Sequence, residues 1–137
     1  MEILDFKDQI VVAQNMRNKA YAPYSNYTVG AALKTKTSRI YSGCNIENDG
    51  IQSICAERVA FAKAISEGEY AFESIFIIGG PKDKDPVECL PCGYCRQFIS
   101  EFVDDDFKIY TMYDKKIREY TIKELLPNGF KRNPKNK

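Results

Sequence analysis

Apolar residues recur at helical spacing near the start of the chain and then in short runs typical of strands. Their spacing predicts an amphipathic helix over residues 3–20, which Pro23 interrupts. Residues 27–33 and 39–43 are typical of two strands joined by a polar turn, although Gly30 is unfavourable inside a strand. The first third of the chain is therefore expected to form a helix followed by a β-hairpin.

The remainder of the chain alternates helical and strand-like segments. Helical character returns over residues 55–67, and the almost continuous apolar run at 74–79 suits a strand that is covered on both faces. The other predicted elements are a helix from residue 92 to Phe102, strands at 107–112 and 116–121, and a short helix at 122–126. This alternation predicts a three-layer α/β/α fold, with a mixed five-stranded sheet and helices on both of its faces.

Length, composition and charge indicate an ordinary globular protein. The 137 residues predict one domain at 1–130 and a short basic tail at 131–137. The net charge of +1 gives no reason to expect binding to nucleic acid or to an anionic membrane surface. The chain starts without the pattern of a signal peptide and contains no apolar stretch long enough to span a bilayer, so we expect a cytoplasmic protein.

The chain contains five cysteines and no histidine. An odd number of thiols in a chain without a secretion signal favours metal binding or catalysis over disulfide bonds. Without imidazole, a metal ion must be held by sulfur and oxygen. A proton must then be carried by a carboxylate, a lysine, a tyrosine or a cysteine.

Two short motifs carry the candidate chemistry, Cys55-Ala56-Glu57 and Pro91-Cys92-Gly93-Tyr94-Cys95. A ligand-x-Glu motif followed by Pro-Cys-x-x-Cys is typical of the zinc-dependent nucleobase deaminases. Three thiolates leave one position of a tetrahedral Zn²⁺ open for water, as in catalytic sites. We therefore predict one Zn²⁺ per chain, held by Cys55, Cys92 and Cys95, with Glu57 as the catalytic residue that transfers protons.

Both motifs lie where a predicted helix begins. The N-terminus of a helix favours thiolate over thiol, so the motifs predict a lowered pKa for all three cysteines. Three thiolates and one Zn²⁺ sum to a net charge of −1. Arg58 is the best-placed group to offset that charge by hydrogen bonding to sulfur. A solvated side chain on the helix surface is the simpler interpretation of Arg58.

Other interpretations of the cysteines remain open. Cys92-x-x-Cys95 by itself also suits a redox pair. A closed structural zinc site would need a fourth ligand, which Cys44 or Cys89 could supply. The simpler interpretation of Cys44 and Cys89 is that both are ordinary free cysteines.

The chain resembles the small, single-domain cytidine deaminases over nearly its whole length. The matching blocks are residues 22–32, 43–48, 54–58, 91–97 and 125–127. The resemblance implies hydrolysis of cytidine and deoxycytidine to uridine and deoxyuridine, with release of ammonia, in pyrimidine salvage. It also implies a homotetramer with active sites at the subunit interfaces.

The resemblance further implies a set of substrate-binding residues. Asn45 and Glu47 match the family's Asn-x-Glu, which holds the ribose hydroxyls, although polar turn residues are an alternative interpretation. Tyr27 matches an aromatic position that lines the base pocket, and Ala56 a position that contacts the substrate. Phe130 matches a C-terminal aromatic residue that reaches into the site of a neighbouring subunit.

The resemblance also places Gln97, together with Arg58, around the metal ligands.

One departure from the family pattern affects the expected substrate. The family usually carries an aromatic residue between the Asn-x-Glu and Cys-Ala-Glu motifs, whereas residues 49–53 lack it and are about one residue shorter. Deamination of another aminopyrimidine nucleoside, such as blasticidin S, is therefore one alternative. A non-catalytic zinc-binding or redox module is another, which the intact Glu57 disfavours.

Overall fold

The computed structural model describes residues 1–50 and 52–130, so the predicted basic tail at 131–137 lies outside the described residues. The helices are α1 (Lys7–Arg17), α2 (Ala56–Ser66), α3 (Gly93–Ser100) and α4 (Ile122–Leu125), and a turn of 3-10 helix at Ile3–Phe6 precedes α1. The strands are β1 (Tyr27–Thr35), β2 (Ile40–Cys44), β3 (Phe72–Pro81), β4 (Lys108–Tyr113) and β5 (Lys116–Thr121). In this part of the chain, no helix is both long and apolar enough to cross a membrane.

The strands form one mixed sheet of five strands in the order β2-β1-β3-β4-β5. β1 pairs antiparallel with both β2 and β3, β4 runs parallel to β3, and β5 runs antiparallel to β4. A parallel pair needs a crossover connection, and the segment that carries α3 supplies it. The predicted mixed five-stranded sheet is confirmed.

Helices cover both faces of the sheet, as predicted. Successive side chains of a strand point to opposite faces. In β3, Phe76 and Ile78 belong to a core cluster that includes Ile10 of α1. Ile75 and Ile77 belong to the other core cluster, together with residues of α2 and α3 such as Phe61. The apolar run at 74–79 is therefore buried on both sides, which explains why it does not alternate with polar residues.

The first helix is shorter than the predicted span of residues 3–20. The α-helix ends at Arg17, and residues 3–6 form a 3-10 turn. Ile3 is 41% exposed, whereas Phe6 packs against Phe76 of β3. Short 3-10 turns are frequent at the N-termini of α-helices.

Two glycines inside strands let helices lie directly against the sheet. A Cβ atom at Gly30 would be 1.9 Å from the carbonyl oxygen of Ala13 in α1, and one at Gly43 would be 2.2 Å from that of Ala56. Gly30 is therefore required by helix packing, although it is unfavourable for a strand. The contact at Gly43 brings the Cys55-Ala56-Glu57 motif close to the residues that follow β2.

Candidate active site and metal centre

Three cysteine sulfurs meet at the N-termini of α2 and α3. Cys55 is the N-cap residue of α2, Cys92 is the N-cap residue of α3, and Cys95 lies in the first turn of α3. Their sulfur atoms all lie within 4.8 Å of one another, and those of Cys55 and Cys92 are 3.8 Å apart. Tetrahedral zinc with Zn–S bonds of about 2.3 Å requires sulfurs about 3.8 Å apart, so this cysteine cluster fits Zn²⁺.

The cysteine cluster contains no fourth protein ligand among residues 1–50 and 52–130. Cys44 is the last residue of β2, and Cys89 is buried in the loop before α3; neither joins the cluster. The described residues therefore form an open three-ligand site rather than a closed structural one. An open position is the property that distinguishes catalytic from structural zinc sites.

The thiols of the cysteine cluster do not ionise alike. A hydrogen bond from Cys95 lowers the pKa of Cys55 to about 5, and hydrogen bonds from Arg58 and Cys92 contribute. The same hydrogen bond to Cys55, together with burial, raises the pKa of Cys95. The prediction that all three thiol pKa values are lowered is wrong for Cys95, because two adjacent sulfurs share one proton. Zinc binding must displace that proton, since only thiolates bind the metal.

Arg58 lies beside the cysteine cluster. Its Nη2 atom is 3.9 Å from the Cys55 Sγ atom and donates a hydrogen bond to the Ser53 carbonyl oxygen at 3.1 Å. The guanidinium is therefore close enough to offset thiolate charge, as its predicted role requires.

Glu57 lies in the first turn of α2 and is only 4% exposed. It lines a cavity of about 310 Å³ together with Cys55 and Cys92. Burial and, to a smaller extent, the charge on Cys55 raise the pKa of the Glu57 carboxyl to about 7. A carboxyl group with this pKa can both accept and release a proton at neutral pH.

Glu47 lines the same cavity. Its carboxylate accepts hydrogen bonds from the Ser25 hydroxyl and from the backbone N–H groups of Ser25 and Tyr24. The hydrogen bond from the Ser25 hydroxyl is the main cause that lowers the pKa of Glu47. The carboxylate is therefore ionised and fixed in direction.

Asn45 is held beside Glu47 in a similar way. Its Oδ1 atom accepts a hydrogen bond from the Val29 N–H at 2.9 Å, and its Nδ2 atom donates to the Tyr27 carbonyl oxygen at 2.8 Å. These bonds identify the two amide atoms and prevent the side chain from rotating. We call Asn45 and Glu47 the polar end of the cavity.

The remaining predicted site residues fall into two groups. Tyr27 and Ala56 line the cavity, as the resemblance implies. Phe130 does not line it: its side chain is 66% exposed, and its carbonyl oxygen accepts a hydrogen bond from Gln97 at 2.9 Å. Gln97 also donates to Glu101. The structure thus places Gln97 at the C-terminal segment, where its partners are Phe130 and Glu101.

Cys89 is a cavity residue that the sequence patterns did not identify. It lines the cavity with Glu88, Leu90 and Tyr27. Burial raises the pKa of Cys89 to about 12, so this thiol stays protonated. From the sequence, Cys89 was a possible fourth zinc ligand or an ordinary free cysteine, and nothing assigned it to the cavity.

Comparison with known proteins agrees with this geometry. The profile of the cytidine and deoxycytidylate deaminase zinc-binding region matches residues 6–111. The cytidine deaminase of Sporosarcina psychrophila is 40% identical over 129 residues, which cover 93% of this chain and 92% of that protein. The blasticidin-S deaminase of Bacillus cereus is 35% identical over 114 residues, covering 80% of this chain and 81% of that protein.

The fold also matches that of a solved cytidine deaminase structure. The crystal structure of cytidine deaminase from Burkholderia pseudomallei superposes with a TM-score of 0.79 at 35% identity, covering 90% of this chain and 98% of that one. Fold, motif order and the cysteine cluster therefore agree, and the chain belongs to the family of cytidine and deoxycytidylate deaminases with a zinc-binding region.

Proposed function

We propose that this protein catalyses the zinc-dependent hydrolytic deamination of cytidine and deoxycytidine to uridine and deoxyuridine, with release of ammonia. The observation that carries the proposal is one cavity lined by Glu57, by two residues of the cysteine cluster and by the polar end. A site for a nucleoside needs both parts, because one acts on the base and the other holds the sugar.

The size of the cavity and the net charge of the chain support a free nucleoside as the substrate. A cavity of about 310 Å³ is at the lower end of the range for small-molecule sites. A net charge of +1 does not provide the basic surface that binding of a nucleic acid backbone requires.

The chain's own residues perform the proton transfers in this proposal. The cysteine cluster would hold one Zn²⁺, which when bound supplies positive charge to polarise a water molecule. The Glu57 carboxylate takes a proton from the attacking water and delivers it to the departing amino group. The water oxygen becomes the new carbonyl oxygen of uridine, its second proton ends on the ring nitrogen N3, and the amino group leaves as ammonia.

The polar end has unused hydrogen-bonding capacity for the sugar. The Glu47 carboxylate has about four acceptor positions, and three donors already use it. Each amide atom of Asn45 has one internal partner and can make a second bond. These two side chains are therefore suited to orient the ribose hydroxyls without moving.

A single preparation tests the proposal. Purified protein is expected to contain one zinc per chain by atomic absorption and to convert cytidine to uridine. Glu57→Gln is expected to lower kcat by about 10²–10⁴-fold while zinc content is unchanged, because only the proton carrier is removed. Glu73→Gln makes the same chemical change at an exposed position of β3 and serves as the control. Full activity of Glu57→Gln would contradict the assigned role.

Deamination of blasticidin S is the second candidate activity. Its support is the 35% identity to the blasticidin-S deaminase of Bacillus cereus and the altered segment at residues 49–53. Values of kcat/KM for cytidine, deoxycytidine and blasticidin S, measured side by side, decide between the two. A larger value for blasticidin S would overturn our assignment of the main substrate.

We further propose that the protein acts in pyrimidine salvage in the cytoplasm as a homotetramer. The exposed Phe130 supports the assembly, because this side chain lies outside its own cavity and is free to reach a neighbouring one. Sedimentation analysis is expected to show a tetramer. Full activity in a stable monomer would contradict a contribution of Phe130 from a neighbouring subunit.

A further inference from the structure

An exposed tyrosine covers the guanidinium group beside the cysteine cluster. Tyr94 occupies the third position of Cys92-Gly93-Tyr94-Cys95, and its side chain is 66% exposed. The guanidinium carbon of Arg58 lies over the Tyr94 ring, 4.2 Å from the ring centroid. This distance is well within the range of a cation–π contact. The contact joins α2 to α3 at the point where both helices supply ligands.

Besides the ring, Arg58 is held through its Nη2 atom and by the cysteine sulfurs. Its Nη2 atom has two partners, the Ser53 carbonyl oxygen at 3.1 Å and the Cys55 Sγ atom at 3.9 Å. Its Nε atom is buried and has no hydrogen-bond partner within residues 1–50 and 52–130. Because the Arg58 Nε atom has no hydrogen-bond acceptor, the Tyr94 ring is the contact that confines this side of the guanidinium.

The position of Arg58 matters because of the charge of the site. Three thiolates and one Zn²⁺ leave a net charge of −1, and electron-rich sulfur weakens the metal's ability to polarise water. A guanidinium that hydrogen-bonds to sulfur draws electron density away from the metal ligands. An arginine side chain has many rotamers, and most of them would carry the guanidinium into solvent.

We propose that Tyr94 is a positioning residue that holds Arg58 against the Cys55 sulfur, so that the guanidinium draws negative charge from the cysteine cluster. This proposal rests on the proposed zinc site, and it concerns the electronic properties of the metal ligands. It can be tested on the metal-loaded protein without measuring deamination.

The test replaces zinc with Co²⁺ and measures the sulfur-to-cobalt charge-transfer band. A hydrogen bond to sulfur stabilises its lone pairs and moves this band to shorter wavelength. Arg58→Gln is therefore expected to shift the band to longer wavelength. Tyr94→Leu is expected to shift it in the same direction, and Tyr94→Phe is expected to leave it unchanged, because phenylalanine keeps the aromatic face.

A double variant separates positioning from other effects. In an Arg58→Gln background, adding Tyr94→Leu is expected to cause no further shift, since the residue that Tyr94 positions is already absent. Tyr70→Leu removes another exposed tyrosine, 69% exposed, from the segment between α2 and β3 and is the matched control. A shift of the band in that control of the same size would contradict the proposal.

Kinetic constants provide a second readout. Tyr94→Leu is expected to lower kcat about two- to fivefold, as the strength of an exposed cation–π contact predicts, with KM unchanged. An unshifted cobalt band in Tyr94→Leu would overturn the proposal. A shift as large in Tyr94→Phe as in Tyr94→Leu would also overturn it. If the protein binds cobalt but does not deaminate nucleosides, the proposed function fails while the band still decides the role of Tyr94.

Discussion

The cysteine cluster and the polar end both contribute to the lining of one cavity and are built in opposite ways. At the polar end, Glu47 accepts hydrogen bonds from three donors, and both amide atoms of Asn45 have partners. In the cysteine cluster, two sulfurs share one proton, so the ligand set is not ready to bind a metal until that proton leaves.

This difference between the polar end and the cysteine cluster shows which part of the site depends on the metal. The polar end is preorganised by the protein's own hydrogen bonds, so it does not need zinc to hold its shape. The cysteine cluster reaches its functional charge state only when zinc binds. We therefore expect changes in one part of the site to leave the properties of the other part intact.

Cys55→Ser is expected to have the largest effect. It removes one of three thiolates, so zinc affinity should fall by more than about 100-fold, beyond the loss seen when only an outer partner of a ligand is removed. Zinc content and deaminase activity should be lost together, while the fold, measured by circular dichroism, is retained. Cys44→Ser changes the last residue of β2, outside the cluster, and should keep both zinc and activity. Equal zinc loss in the two variants would refute the three-cysteine site.

Glu47→Gln is expected to have an intermediate effect, confined to substrate binding. Loss of a hydrogen bond to a charged group costs about 1.5–3 kcal/mol, so kcat/KM should fall about 10- to 100-fold, mainly through KM. Zinc content should not change.

Glu88→Gln is the matched control for this variant, because Glu88 is another carboxylate that lines the same cavity. Its KM is expected to stay within about threefold of the wild-type value, as for the loss of a weak contact. Equal KM increases in both variants would mean that the cavity's overall negative charge, rather than Glu47, binds the sugar.

Ser25→Ala is expected to have the smallest effect, and it depends on pH. The Ser25 hydroxyl lowers the pKa of Glu47. A carboxylate with a lowered pKa in the folded state adds stability above its unfolded pKa, and this stability is lost as pH falls through the folded-state pKa. Removing the hydroxyl raises the pKa of Glu47 towards its ordinary value, so KM should begin to increase at a higher pH on acidification.

An NMR titration of the Glu47 carboxyl carbon measures this shift directly. The control is Ser66→Ala, since the Ser66 hydroxyl donates to the Lys63 carbonyl oxygen at the end of α2. Identical titration midpoints for Glu47 in the wild type and in Ser25→Ala would contradict the assigned cause of its lowered pKa.

Much of the fold could be predicted from local patterns, with errors where packing intervened. The strand at 116–121 was predicted with its observed bounds. The first helix was predicted too long, because the apolar periodicity continues through residues 3–6, which form a 3-10 turn instead of an α-helix. Gly30 weakened the prediction of β1, and only the contact with α1 explains why a glycine is needed there.

The sequence by itself determined the ligand set, the neighbouring carboxylate and the family, because these depend on short spacings at the starts of two helices. Only the tertiary structure decided that the Cys55 and Cys95 thiols ionise as a coupled pair, that Cys89 lines the cavity and that Tyr94 covers Arg58. Those properties depend on distances between segments that are far apart in the chain. The spacing of residues along the chain determines which side chains lie at the N-terminus of a helix. The packing of helices and strands determines which side chains of other segments they contact.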